Sequence, residues 1–363
     1  MGKRKWTAGV LTWGLVAAAA GAFIIGKADG GRSPNEVSSG TTAGPSRPVE
    51  EQPAPPPATQ PIAFGVTTPS GPYNLDELHA FEVAAGKSPK VLMFSQDWAS
   101  GEFREELFNA IHDRQLLPVV TWEPRDYRRQ IERDQPPDQP EYALSRIING
   151  DADAYITQWA TRIKALRYPV AIRFAQQMNG TWFPWSEGVN GNQPGEYVAA
   201  WKHVRGIFDT VGATNALWVW SPNISYAGST PLVGLYPGDQ YVDWIGVDGY
   251  NGGSELPWGG WLTPEELYLP TVREIRGFTQ KPLLLTEVAS AEAGGSKAAW
   301  IRSLFQMLQQ QPDILGFVWV EVNREADWRI VSSREAAEAF RSGVANPRFT
   351  AALPATLLVP SRR

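Results

Sequence analysis

Residues 169–222 read PVAIRFAQQMNGTWFPWSEGVNGNQPGEYVAAWKHVRGIFDTVGATNALWVWSP, and this stretch holds one complete unit of the fold. It begins with the apolar run PVAIRFA (169–175), continues through a polar loop and an amphipathic segment (194–211), and ends with ALWVWSP (216–222). Short apolar runs rich in β-branched and aromatic residues predict buried strands, whereas a 3.6-residue apolar period predicts a helix. The stretch therefore predicts a strand, a helix and a second strand parallel to the first.

The same alternation extends outward in both directions. Six further runs predict strands: IAFGVTT (62–68), KVLMFSQ (90–96), LPVVTWE (117–123), VDWIGVDGY (242–250), PLLLTEVA (282–289) and ILGFVWVE (314–321). Helices are predicted between the strands at 75–85, 102–115, 152–166, 264–278, 297–311 and 333–341. Eight strands with intervening helices predict an α/β fold, a closed (β/α)8 TIM barrel over residues 62–350, whose functional groups lie at the C-terminal ends of the strands.

The segments outside the barrel have other compositions. Basic residues at 3–5 precede an apolar run at 10–26, a pattern typical of a signal peptide or a signal anchor, and both alternatives stay open for residues 1–28. Residues 29–61 are rich in Pro, Gly, Ser and Thr and predict an extended linker, and residues 351–363 form a C-terminal tail. We expect an exported chain, either anchored in the cell membrane with the barrel outside or secreted.

Composition excludes several kinds of chemistry. The chain has no Cys, which excludes thiolate nucleophiles, disulfides and Cys-based metal sites. His79, His112 and His203 all lie in predicted helices, so neither a His-based triad nor a multi-His metal site is expected. A net charge of −5 gives no basic surface for nucleic acid. No cofactor and no metal are predicted.

Polar and aromatic residues collect at the predicted C-terminal ends of the strands. They include Glu123, Arg173, Gln176, Gln177, Asn179, Trp220, Asp248, Tyr250, Glu287, Trp319 and Glu321. Amides and carboxylates bind hydroxyl groups, and indole planes cover the apolar face of a sugar ring. This mixture predicts a sugar site at the mouth of the barrel.

The segment RFAQQMNGTWFPWSEG (173–188) resembles the hallmark of glycoside hydrolase family 26, the β-mannanases and related β-glucanases. In that family the fourth strand ends in Arg-x-x-His-Glu-x-Asn-Gly-x-Trp-x-x-Trp. The similarity continues through VWSPN (219–223), YPGDQYVDWIGVDGYN (236–251), KPLLLTEVAS (281–290) and GFVWVEVNREADWRI (316–330). The resemblance implies a TIM barrel that acts on a β-linked polysaccharide or oligosaccharide, such as a mannan, glucan or xylan.

The resemblance also implies roles for single residues. Glu287 matches the family's catalytic nucleophile, whereas Gln177 stands at the acid/base glutamate and Gln176 at the preceding histidine, which contacts the sugar. Tyr250 matches a tyrosine beside the nucleophile, and Trp319 matches the aromatic floor of the −1 subsite. From the strand ends and the resemblance together, the expected substrate-binding residues are Gln176, Asn179, Trp182, Trp185, Arg173, Trp220, Asp248, Tyr250, Trp319 and Glu123.

The glutamine at position 177 leaves three hypotheses open. A retaining glycosidase needs two carboxyl groups about 5–5.5 Å apart, and an amide can neither give nor take the proton. The first hypothesis is an extracytoplasmic polysaccharide-binding protein with impaired hydrolysis, whose topology places it beside polysaccharide synthesis or export machinery. The second is an active endo-acting β-glycanase with Glu287 as nucleophile and a displaced acid. Candidates for that acid are Glu187, Glu321, Glu123 and Asp248. The third is a transfer or lytic enzyme that uses Glu287 alone, or a vestigial site.

Overall fold

The structure, a computed structural model, describes residues 60–100, 102–129 and 138–349, together with 353, 357, 358 and 360. Eight parallel strands follow one another around a closed barrel, and the first strand pairs with both the second and the eighth. The strands are β1 Ala63–Thr67, β2 Val91–Asp97, β3 Leu117–Glu123, β4 Val170–Phe174, β5 Ala216–Trp220, β6 Trp244–Asn251, β7 Leu283–Ser290 and β8 Ile314–Val320. The predicted (β/α)8 TIM barrel is confirmed.

Helices surround the barrel. They are α1 Leu75–Ala85, α2 Glu105–His112, α3 Leu144–Ile148, α4 Asp153–Leu166, α5 Glu196–Val211, α6 Leu232–Leu235, α7 Pro264–Arg276, α8 Lys297–Gln310 and α9 Arg334–Val344. Polar caps set several of their starts: Thr263 and Glu266 form a capping box at α7, and the Asn74 side chain accepts from the Asp76 N–H at α1. The short helices α3 and α6 were not predicted.

The described helices include none that is long and apolar enough to span a membrane. The predicted signal segment (1–28) and nearly all of the predicted linker (29–61) lie outside the described residues. Most of the predicted C-terminal tail also lies outside them, but Leu357 is described and is fully buried in the barrel interior.

The hydrophobic core has two layers, because strands of a parallel barrel are buried on both faces. Residues that point outward, such as Trp122 and Phe174, pack against the helices. Residues that point inward, such as Val119, Ala171 and Val219, fill the half of the barrel away from the C-terminal ends of the strands. Toward the C-terminal ends of the strands this inner column becomes polar, and the polar layer is where the candidate site lies.

Candidate active site

Arg173 connects the acidic residues at the barrel mouth. Its Nη2 lies 2.8 Å from Glu287 Oε1 and also pairs with Asp248. Its Nε donates to Ser221 Oγ at 3.0 Å, and its Nη1 donates to Thr121 Oγ1 at 3.0 Å. All five side chains are buried. The guanidinium of Arg173, on β4, therefore connects side chains that lie in or just after β3, β5, β6 and β7.

Asp248 is anchored by this network. Its Oδ1 accepts from Ser221 Oγ at 3.1 Å and from Thr286 Oγ1 at 2.7 Å, and its Oδ2 pairs with Arg173. Burial raises the pKa of Asp248, and the charge of Glu287 adds to the rise, while Arg173 opposes it. Both carboxylate oxygens are bonded, so Asp248 holds the site together. The described residues contain no group of three or more His, Asp or Glu side chains that could hold a metal ion.

Glu287 lies at the centre of the site. Its Oε1 faces Arg173, and its Oε2 accepts hydrogen bonds from the Tyr250 hydroxyl and from Gln177 Nε2, the latter at 3.2 Å. Burial, followed by the nearby charge of Glu287, raises the pKa of Tyr250 well above its ordinary value, so its hydroxyl stays protonated and donates. The structure thus brings together four residues expected at the site from the sequence.

A strand irregularity gives Glu287 its direction. The register of β7 against β8 shifts between Leu285 and Val288. In a regular strand, successive side chains alternate between the two faces, so Thr286 and Glu287 would point in opposite directions. Here Thr286 bonds to Asp248 and Glu287 bonds to Arg173, so both side chains point into the barrel.

Gln177, which the resemblance expects at the acid/base position, is held firmly in the site. Its backbone has φ 54°, a left-handed conformation that costs a non-glycine residue about 1–3 kcal/mol, and its N–H donates to the Ser221 carbonyl at 2.7 Å. The Trp182 indole donates to Gln177 Oε1 at 3.0 Å. An indole N–H can only donate, so this bond orients the amide with its NH2 toward Glu287. The amide is therefore a fixed hydrogen-bond donor to Glu287.

Gln176 faces a different carboxylate. Its Nε2 donates to Glu123 Oε1 at 3.0 Å, while Glu123 also forms a buried ion pair with Arg125. Burial raises the pKa of Glu123, and Arg125 opposes the rise. Gln176 Oε1 is buried and has no hydrogen-bond partner among the residues that the structure describes. It is an available acceptor for a ligand hydroxyl.

Aromatic side chains flank the central carboxylate on two sides. Trp182 stacks on the half-buried Tyr226, with ring centroids 5.9 Å apart, and Tyr250 contacts Trp328 at 5.2 Å. The half-buried Trp258 packs against the same cluster as Tyr250. Tyr226, Trp258 and Trp328 were not expected as site residues, although each follows a predicted strand end in the loop beyond it, which is the available signal.

Three tryptophans expected at the sugar site are placed elsewhere. Trp220 donates its indole N–H to the Leu235 carbonyl at 3.0 Å and packs against Tyr236 and Phe278, in the layer between barrel and helices. Trp319 is fully buried in that layer against Phe340. Successive side chains of a strand point to opposite faces. Val219 and Val318 fill the barrel interior, so the adjacent Trp220 and Trp319 point outward toward the helices.

The third tryptophan, Trp185, lies in the loop between β4 and α5. It is fully buried, donates to the Gln176 carbonyl at 2.7 Å and stacks on Phe183. Asn179 also has a supporting position, since its amide donates to the Asn223 carbonyl at 3.0 Å and accepts from the Asn223 N–H at 2.9 Å. These residues shape the loop that carries Gln177 and present no free polar atom to a ligand.

The alternative acids Glu187 and Glu321 have structural partners of their own. Glu187 Oε1 accepts from the N–H groups of Gly195 and Tyr197, at 2.7 and 3.3 Å, at the start of α5. Glu321 Oε2 accepts from the Ile330 N–H at 2.8 Å, and burial raises its pKa to about 7. Neither is among the residues bonded to Glu287. Glu187 caps a helix, and Glu321 anchors the loop after β8.

Comparison with known proteins agrees with this geometry. Residues 127–306 match the model of Glycosyl hydrolase family 26. Endoglucanase H of Acetivibrio thermocellus is 36% identical over 243 residues, which cover 65% of this chain and 25% of that protein. A mannan endo-1,4-beta-mannosidase of Bacillus subtilis is 30% identical over 138 residues, covering 35% of this chain and 32% of that protein. The chain therefore spans about a quarter to a third of the length of these relatives.

Solved structures share the fold. GH26C from Muricauda sp. MAR_2010_75 matches with a TM-score of 0.60 and 19% identity, over 83% of this chain and 91% of that chain. The catalytic domain of the GH26 endo-beta-1,4-mannanase from Bacillus sp. JAMB-750 matches with a TM-score of 0.59 and 18% identity, over 82% and 90%. Together with the family match and the arrangement around Glu287, these findings show that the chain belongs to glycosyl hydrolase family 26 and that its barrel is of the glycosidase type.

Proposed function

We propose that this protein binds a β-linked polysaccharide outside the cytoplasm and is impaired in its hydrolysis. The observation that carries the proposal is the bond from Gln177 Nε2 to Glu287 Oε2, because it supports Gln177 as the residue beside the nucleophile, where retaining chemistry needs a second carboxyl group. Glu287 could attack the anomeric carbon, but the departing sugar oxygen would receive no proton from Gln177. General acid/base catalysis contributes about 10²–10⁴ to such rates.

The other carboxylates near the site are already bonded to protein groups, which supports the proposal that the site has no catalytic acid. Asp248 is bonded through both of its oxygens, and Glu123 is paired with Arg125. Glu187 caps α5, and Glu321 holds the loop after β8. A displaced acid would have to leave one of these partners to reach the glycosidic oxygen, which opposes the reading of the protein as an active glycanase.

The groups that remain available suit sugar binding. Trp182 donates to Gln177 and stacks on the half-buried Tyr226, so an aromatic pair borders Gln177. Gln176 Oε1 is an unbonded acceptor, and Glu287 can accept from sugar hydroxyls. The names of the relatives, an endoglucanase and a mannan endo-1,4-beta-mannosidase, support a β-linked glucan or mannan as the ligand.

The binding proposal is tested with the full chain purified in mild detergent. Affinity electrophoresis in gels containing β-mannan, β-glucan or β-xylan measures binding, and reducing-end release measures turnover. We expect retardation by at least one glycan without turnover. Turnover by the wild type that disappears in Glu287→Gln, but persists in the control Glu335→Gln at an exposed position of α9, would contradict the proposal and establish a displaced acid.

The location outside the cytoplasm is part of the proposal. It is supported by the basic residues at 3–5 and the apolar run at 10–26. An anchored barrel at the outer face of the membrane could hold a glycan beside synthesis or export machinery. Protease added to intact cells should digest the barrel, and membrane glycan machinery should co-purify with the full chain. Protection of the barrel in intact cells would contradict the location.

A further inference from the structure

A pocket lies on the outer side of the barrel, between Trp98 after β2 and the segment 141–155, and we call it the flank pocket. Its volume is about 300 Å³. Its lining includes Trp98, Glu141, Tyr142, Arg146, Asp151 and Tyr155. The Trp98 ring packs at 4.9 Å on Trp122 and at 5.9 Å on Phe174, which both face the helices. The flank pocket is therefore separate from the barrel mouth, and its lining shares no residue with the contacts of Glu287.

Three aromatic side chains form the apolar part of the flank pocket. Trp98 and Tyr155 lie with ring centroids 5.4 Å apart, and Tyr142 is half-buried beside them. The indole Nε1 of Trp98 is buried and has no hydrogen-bond partner in the described part of the chain. A buried donor without a partner is costly, so a ligand oxygen that reached this indole would be bound favourably. Aromatic planes together with a free donor suit the apolar face and the hydroxyls of a sugar.

The charges around the flank pocket exclude an anionic ligand. Arg146 Nε pairs with Asp151 Oδ2 at 2.8 Å, and Glu141 Oε1 pairs with Arg129 Nη2 at 2.7 Å. The lining thus holds two carboxylates against one guanidinium, and that guanidinium is already paired. A phosphate or carboxylate would meet net negative charge, whereas a neutral polyhydroxyl compound would find paired acceptors and donors.

The size of the flank pocket limits the ligand. A volume of about 300 Å³ is at the lower end for small-molecule pockets and suits one sugar ring better than a chain segment. We infer that the flank pocket binds a single neutral pyranose ring, a terminal or branching unit of a β-linked polysaccharide. This inference rests on the proposed function, because the same glycan would then contact the barrel through two sites. Two linked contacts raise retention of a long chain well above that of a short one.

Calorimetric titration of the full chain with β-1,4-mannotetraose and with cellotetraose tests the inference. We expect two sites per chain for at least one of these probes in the wild type and one site in Tyr142→Ala. Tyr142→Phe keeps the aromatic plane and should retain both sites. Ala152→Phe, which adds bulk to the lining, should also lose one site and serves as a second variant if Tyr142→Ala is poorly folded. In affinity gels, Tyr142→Ala should weaken polysaccharide retention about tenfold or more.

The outcomes separate this inference from the proposed function. Two sites that persist in folded Tyr142→Ala and Ala152→Phe would overturn the flank pocket assignment and leave the central site intact. If the wild type has a single site and Trp182→Ala loses it, the flank pocket assignment is also overturned and the central site stands. A wild-type chain that binds neither tetrasaccharide nor any polysaccharide would overturn the proposed function, and the flank pocket inference with it.

Discussion

Gln177 donates from its side-chain Nε2 to Glu287 Oε2 at 3.2 Å, so the two residues that we propose at the acid/base and nucleophile positions are bonded directly to each other. In a retaining enzyme the two carboxyl groups stand about 5–5.5 Å apart, with the anomeric carbon and the departing oxygen between them. A pyranose entering this site must therefore take over the bond between the two side chains. On the proposed function, the site binds the sugar at Glu287 and lacks a proton donor at residue 177.

The first prediction concerns a substrate whose leaving group needs no proton. With a 2,4-dinitrophenyl β-cellobioside or β-mannobioside, the bond from the anomeric carbon to the phenol oxygen can break without acid assistance. Glu287 then forms an ester to the anomeric carbon, and dinitrophenolate departs with the electron pair. Because Gln177 cannot deprotonate water, the glycosyl ester should accumulate. We expect a burst of about one equivalent of dinitrophenolate and a matching mass increase of the protein.

Azide tests whether the glycosyl ester accumulates because a general base is missing or because hydrolysis is slow for another reason. As an anion it needs no base, so it should attack the ester and speed turnover, giving a glycosyl azide. Glu287→Gln should give neither burst nor adduct. A wild-type chain that turns over the aryl glycoside steadily, with no adduct and no response to azide, would contradict the assignment of Gln177 as an inert amide.

The second prediction contrasts two tryptophans. Trp182 lies at the mouth, where it orients Gln177 and stacks on Tyr226, whereas Trp220 lies between barrel and helices. Trp182→Ala should weaken glycan binding about fivefold or more, since an aromatic contact is worth about 1 kcal/mol beyond its buried area. Trp220→Phe should lower the free energy of unfolding by about 1–3 kcal/mol and leave binding unchanged. Equal effects of the two changes on binding would contradict the placement of Trp220.

The third prediction concerns the pH dependence of stability. Burial raises the pKa of Glu321 from 4.5 to about 7, so between these values the folded state binds more protons than the unfolded chain. This carboxyl therefore lowers the free energy of unfolding as the pH rises from about 4.5 to 7, by about 3 kcal/mol in total. Glu321→Gln lacks the titration and should lose less stability than the wild type over that range.

Denaturant unfolding at pH 5 and pH 8 measures the difference. The exposed Glu335 provides the matched control, because Glu335→Gln removes a carboxyl of the same type from the surface of α9. Parallel stability profiles for the wild type and Glu321→Gln would show that Glu321 is not held in a buried environment, and it would return as a candidate acid.

Much of the barrel could be predicted from hydrophobic periodicity. The predicted strand 117–123 and the predicted helix 75–85 have the bounds that the structure gives. The helices at 144–148 and 232–235 were missed because they are one turn long or little more, too short for a 3.6-residue pattern to develop. Tertiary packing defines such elements, so the local sequence contains little signal for them.

The site could be predicted in part. Glu287, Gln177, Arg173 and Tyr250 were expected near one another and do come together. Trp220 was expected at the mouth because it ends a predicted strand, but the alternation of side chains along that strand turns it outward.

Another part of the site depends on irregular pairing. The shift between β7 and β8 lets Thr286 and Glu287 both face inward, and a second shift falls between Val247 and Asp248 on β6. Such shifts depend on how neighbouring strands pair, which a single sequence does not reveal. The partners of Asp248 could therefore not be derived from its position in its own strand.

The most direct measurement of the central claim is the hydrolysis rate of Gln177→Glu on the glycan that the wild type binds best. The new carboxyl would accept from the Trp182 indole and lie beside Glu287, whose like charge raises one pKa of such a pair and creates a proton donor. We predict a gain of about 10²–10⁴ in reducing-end release over the wild type. The control Gln306→Glu adds the same charge at an exposed position of α8 and should give no gain. A folded Gln177→Glu protein that hydrolyses no faster than the wild type would contradict the assignment of residue 177 as the missing acid.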